Sequence, residues 1–176
     1  MAALKALDRA LNRLYGFCGL ISALLLIALT GLVLASIISR LLSVFIAGVT
    51  EFAGYSMASC VFFAMAYTFR SGGHIRVTLF TSRMTGRVRR FNELWCLGAM
   101  AVVVCFLAYY LCELAYVSWE FGEYSEGGDA IPLWIPQAPM AFGATVFAIC
   151  TVHTFLRALV MPETLSEIDR PGGGEV

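Results

Sequence analysis

The stretch YGFCGLISALLLIALTGLVLASII, residues 15–38, decides the fold. No charged residue falls between Arg13 and Arg40, and Leu, Ile, Val and Ala dominate the interval. A helix that crosses a hydrocarbon core of about 30 Å needs about 20 such residues. The apolar core of a cleaved signal peptide is shorter, about 7–15 residues, so this run reads as a transmembrane helix. The same pattern recurs downstream. Between Arg40 and Arg70 only Glu51 interrupts an apolar run, which places a second span at about 50–69 with residues 41–49 as the turn before it. A third span at about 91–113 contains the charge-free interval between Glu93 and Glu113, and the helix is expected to continue toward Trp119. A fourth, at about 134–156, opens with Pro132, Pro136 and Pro139. Prolines are expected in a first helical turn, where the N–H groups have no intrahelical partner.

Composition agrees with this reading. The 176 residues are 60% hydrophobic and 14% charged, where a soluble domain is about half apolar and about a quarter charged. A chain of this size has too little interior to hide that excess from solvent. The expected fold class is therefore all-α integral membrane, with four transmembrane helices in a membrane domain over residues 15–157. Ahead of it, in residues 1–14, Leu4, Leu7, Leu11 and Leu14 recur at helical spacing among Lys5, Asp8, Arg9, Asn12 and Arg13. This segment reads either as a short amphipathic helix lying in the cytoplasmic interface or as an early start of the first span. Residues 158–176 turn polar and carry Pro171 and three glycines close to their end, the composition of a flexible cytoplasmic tail.

Charge sets the expected orientation. Lys5, Arg9 and Arg13 precede the first span, Arg70, Arg76, Arg83, Arg87, Arg89 and Arg90 lie between the second and third, and Arg157 and Arg170 follow the fourth. Only Arg40 remains for the other side. Basic residues in short loops stay on the cytoplasmic side, so both termini are expected there. The connection between the third and fourth spans carries Glu113, Glu120, Glu123, Glu126 and Asp129 without a basic residue, and is expected outside. Tyr116, Trp119, Tyr124 and Trp134 surround it as an interfacial aromatic belt would.

Few residues carry recognisable chemistry. The six cysteines lie in apolar stretches with no C-x-x-C pair or metal-ligand spacing, so neither a disulfide framework nor a metal site is expected. No phosphate-binding loop, redox pair or catalytic triad is visible, and neither an enzyme nor a cofactor is implied. Arg40 and Glu51 stand at opposite ends of one turn. Ionisable groups beside hydrocarbon are costly and usually paired, so the two are expected either to form a salt bridge stapling the first two helices or to reach water separately. In the segment Arg70-Ser71-Gly72-Gly73-His74-Ile75-Arg76-Val77, paired glycines supply a tight turn and the arginines suit phospholipid phosphates. Its position against two spans argues against nucleic acid.

Several residues taken in order resemble one family. These are Arg40 after the first span, Glu51 opening the second, Tyr55, Phe62, the turn Gly73-His74-Ile75-Arg76-Val77, and Ile131-Pro132-Leu133-Trp134-Ile135-Pro136 with Gly143 following. Their spacing across residues 15–157 is similar to that of the small membrane subunit, of DctQ type, of tripartite ATP-independent periplasmic (TRAP) transporters. One departure is Thr78, where many members carry an acid, so no role of that acid carries over. The resemblance implies a bacterial inner-membrane scaffold that pairs with a separate, large, elevator-type subunit. A periplasmic solute-binding protein would deliver an organic acid, and an ion gradient would drive uptake. Arg40, Glu51, Tyr55, Gly73, His74, Arg76, Pro132, Trp134 and Pro136 become candidate structural or interface residues. Glu120, Glu123, Glu126 and Asp129 are candidates for docking the binding protein, or else mark only the exclusion of basic residues from an outer loop.

Two rival readings have distinct signatures. A haem-bearing anchor of a redox enzyme would ligate iron through His74 and His153, the only histidines, but His74 belongs to a turn. A small stand-alone multidrug carrier would need a carboxylate near the bilayer midplane. Glu51 lies too near the end of its span for that role.

Overall fold

The computed structural model describes residues 2–44, 48–70, 87–125 and 130–160, and these described residues form four helices. They are α1 (Ala2–Leu41), α2 (Val49–Arg70), α3 (Arg87–Glu120) and α4 (Trp134–Val160). Each is long and apolar enough to cross a membrane. The backbone of residues 2–14 continues directly into the first span, so α1 is one helix of 40 residues, about 60 Å long at 1.5 Å per residue. The third helix does continue past Glu113, ending at Glu120.

The helices pack in the order α1, α2, α4, α3, with α1 and α3 on the flanks. Contacts give their directions. Gly19 of α1 meets Tyr67 of α2, and Gly98 of α3 meets Phe155 of α4, so each consecutive pair is an antiparallel hairpin. Between the hairpins, Phe63 packs on Phe142 with ring centroids 5.9 Å apart, and Phe69 packs edge-on against Phe147 at 6.0 Å. Helices α2 and α4 therefore run side by side in the same direction. Their crossing is close because position 143 is glycine: a Cβ there would stand 3.0 Å from the Phe62 carbonyl carbon and 3.1 Å from the Phe63 nitrogen. Small residues let backbones approach in this way where apolar association rests on packing rather than on escape from water.

Hydroxyls and thiols supplement the packing at each seam. Between α1 and α2, Ser22 Oγ donates to the Cys60 carbonyl at 3.1 Å while the Cys60 thiol donates to the Ser22 carbonyl at 3.3 Å. Between α2 and α4 the Cys150 thiol points to the Ala66 carbonyl at 3.8 Å, and between α3 and α4 Cys112 Sγ lies 3.5 Å from Thr145 Oγ1. The six cysteines are all free thiols. Cys18 and Cys150 are buried and Cys96 and Cys105 exposed.

Helix ends follow from local sequence. At the end of α3, Glu123 N–H reaches the Ser118 carbonyl at 3.0 Å around Gly122, whose φ is 61°; this is the Schellman arrangement, with glycine at the left-handed position. The end of α1 repeats it with Val44 N–H on the Ser39 carbonyl at 2.9 Å. There the left-handed residue is Ser43, at φ 55°. Of the three prolines expected in the first turn of α4, Pro136 sits in that turn and Pro132 precedes the helix, but Pro139 lies inside it. Five residues separate Pro139 from the helix start, so its missing N–H leaves the Ile135 carbonyl without the usual intrahelical donor.

Candidate functional site

Both hairpin connections lie at one end of the four helices, and among the described residues that connection end holds the most developed polar arrangement. Gly48, with φ 73°, turns the chain into α2, and its carbonyl accepts the Phe52 N–H at 2.9 Å. Glu51 then falls in the first turn of α2, where the helix dipole favours a negative side chain. One turn later Tyr55 extends the same face.

Across from them, the α3–α4 connection is pinned as a short hairpin. Ser125 N–H donates to the Ile131 carbonyl at 2.8 Å and Leu133 N–H to the Glu123 carbonyl at 2.9 Å, bracketing a bridge between Tyr124 and Pro132. Ser118, fully buried in the last turns of α3, donates its hydroxyl to Glu123 Oε2 at 2.8 Å. This pairing fixes where Ser125 sits. Its hydroxyl donates to Glu51 Oε2 in a short hydrogen bond and lies 3.4 Å from the Tyr55 hydroxyl, which donates to it. A serine has one proton to give and lone pairs to receive. The chain Tyr55 to Ser125 to Glu51 therefore uses both capacities and ends on a charge, the stronger kind of hydrogen bond.

The candidate residues distribute unevenly around this cluster. Glu51 and Tyr55 belong to it, both half-buried, and Pro132, Trp134 and Pro136 form the returning arm and the start of α4. Arg40 does not join: it is exposed in the last turn of α1, and among the described residues the hydrogen bond that Glu51 receives comes from Ser125 rather than from Arg40. Glu120 and Glu123 are exposed on the connection side of α3. Gly73, His74, Arg76, Glu126 and Asp129 lie outside the described residues. His153 is half-buried in α4.

Ser125 and Ser118 are the residues that sequence reasoning missed. Ser125 meets Glu51 across 74 positions of chain, and no periodicity or motif connects the two. The only local signal was Gly122 in a short polar stretch between two spans, which marks a turn without saying what the turn reaches.

No group of three or more potential metal ligands occurs among the described residues. The hydroxyls of Tyr55, Ser118 and Ser125 and the carboxylates of Glu51 and Glu123 are engaged with one another and hold the two connections together. At the opposite end, Arg70 Nε donates to Asn12 Oδ1 at 3.1 Å, tying the end of α2 to α1. Residues 29–161 match the sequence model of a family described as "Tripartite ATP-independent periplasmic transporters, DctQ component". No curated protein and no solved structure matches the chain.

Proposed function

The chain belongs to the DctQ component family of tripartite ATP-independent periplasmic transporters, and from that membership we propose that it is the small scaffold subunit of such a transporter in a bacterial inner membrane. It pairs with a large elevator-type membrane subunit, which holds the sites for solute and coupling ion. A periplasmic solute-binding protein brings an organic acid to the pair, and an ion gradient drives its uptake. The small subunit broadens the static part of the assembly and performs no chemistry of its own.

The observation that carries this reading is the family match over residues 29–161, from the last third of α1 through α4. It is supported by what the spans contain. A carrier acting alone is expected to keep ionisable groups within the membrane for its solute or ion. The charge-free intervals of α1 and α3 hold no Asp, Glu, Lys, Arg or His, that of α4 holds only His153 near its far end, and Glu51 stands in the first turn of α2, too near a helix end to serve a midplane site. The distribution of eleven basic residues against one supports a cytoplasmic location for both termini. In that orientation the connection end, with Glu120, Glu123, Glu126 and Asp129, faces the periplasm and is available to the binding protein. Phospholipid covers the remaining apolar flanks.

The test is reconstitution. The large subunit, the binding protein and this chain are combined in liposomes under an ion gradient, and solute uptake is compared with the same mixture lacking this chain. Loss of uptake without the chain, together with its co-purification with the large subunit, is the expected result. Undiminished uptake in its absence would overturn the scaffold role.

A further inference from the structure

We infer that Ser125 is the fastening point by which the α3–α4 connection is held to α2, so that the two helical hairpins move as one body at the connection end. The helices meet as hairpin α1–α2 and hairpin α3–α4, joined along α2 and α4. Along that seam lie aromatic rings, the glycine crossing at Gly143 and a long thiol contact from Cys150. Such contacts resist separation but permit small sliding, because dispersion is weakly directional. The bonds from Tyr55 to Ser125 and from Ser125 to the Glu51 carboxylate are of another kind: directional, partly shielded from water and ending on a charge.

Ser125 is also rigidly held on its own side. Its N–H is bonded to Ile131, and the preceding turn is locked by Gly122 and by the Ser118 to Glu123 bond. A displacement of the arms 121–125 and 130–133 therefore cannot be absorbed locally and passes through Ser125 to the first turns of α2. This goes beyond the scaffold reading, since it concerns how a force on the connection end enters the helices, whatever partner exerts it.

The test uses the full-length chain in lipid nanodiscs, with hydrogen–deuterium exchange read at the amides of Glu123, Ser125 and Leu133 and in the first turns of α2. Losing a hydrogen bond to a charged group is expected to raise exchange about tenfold or more in Ser125→Ala and Glu51→Ala, in both segments at once. Ser125→Thr, which keeps the hydroxyl, is expected to stay within about twofold of the wild type, and Tyr55→Phe to fall between. Unchanged exchange in both alanine variants overturns the inference, as does an increase confined to one segment. Should an alanine variant fail to insert, cross-linking of Glu51→Cys with Ser125→Cys in intact membranes provides the second readout. A short bifunctional thiol reagent is expected to join the two peptides, and failure to join them overturns the contact itself.

Discussion

Helices α1 and α4 are both apolar enough to span a membrane, yet they occupy opposite environments. Only 6% of the most apolar stretch of α1 is buried, against 50% in α4. Among the described side chains of α1 the buried ones are Tyr15, Cys18 and Ser22, and none from 23 to 41 is buried. In α4 burial runs from Ala141 to Ala158. Hydropathy thus tells which segments leave water but not which leave lipid. Within the bilayer apolar surface gains nothing from the hydrophobic effect by turning inward, and the choice falls to shape: α4 carries Gly143 where α2 comes close, and Ala144 and Ala148 among its other buried residues. The second half of α1 is left as a face turned to its surroundings, open to lipid or to the partner subunit proposed above.

The sharpest way to break this contrast is to spoil the shape of α4. Gly143→Leu drives a branched side chain into the backbone at Phe62 and Phe63, which cannot yield as a side-chain tip could. The expected loss is at the top of the single-substitution range, about 4 kcal/mol or more, read by SDS titration from mixed micelles. The next comparison sets two residues directly against each other. Phe147→Ala empties a fully buried site against Phe69 and is expected to cost about 3 kcal/mol. Ile27→Ala, at a side chain 69% exposed on α1, is expected to stay within about 0.5 kcal/mol in the chain alone. If the large subunit covers α1, the Ile27 variant weakens their co-purification while leaving the chain's own unfolding unchanged. An Ile27 cost equal to that of Phe147 in the isolated chain would erase the distinction between the helices.

How much of this was legible beforehand differs by level. The four helices were readable because charge is absent for a helix length at a time, as between Arg13 and Arg40, and lipid tolerates no other backbone arrangement without satisfied hydrogen bonds. Their neighbours were not, since residues such as Ile27 and Phe147 are equally apolar and differ only in what packs on them. Arg40 and Glu51 flank one short turn and were open either to pairing or to reaching water separately, and the hydrogen bond that Glu51 receives comes from Ser125 in the other connection. Charge complementarity is visible in a sequence; a serine hydroxyl brought over by a hairpin is not. The position of Pro139 inside α4 shows the same limit, since a proline near a helix start signals the start without counting residues from it.

The smaller effects concern the two helix ends that close in the same Schellman geometry with different residues at the left-handed position. At the end of α3, Gly122 occupies it without penalty, and open space surrounds the point where a Cβ would stand. Gly122→Ala therefore introduces backbone strain alone, about 1 kcal/mol, and through Glu123 is expected to loosen the hairpin arm, seen as faster amide exchange at Glu123 and Ser125. At the end of α1, Ser43 already bears that strain at φ 55°, and Ser43→Gly runs the comparison in reverse. Relief of the left-handed conformation is worth about 1–2 kcal/mol, while the extra freedom of glycine in the unfolded chain costs about 0.4–1 kcal/mol. The net is a stabilisation of about 0.5 kcal/mol, measurable as a small rise in the unfolding midpoint of the isolated chain. Because the second half of α1 is little buried, the gain should tighten the last turn around Ser39 and Arg40 without propagating into α4. A rise in protection along α4 in this variant would show that the flank and the centre are coupled more closely than their packing implies.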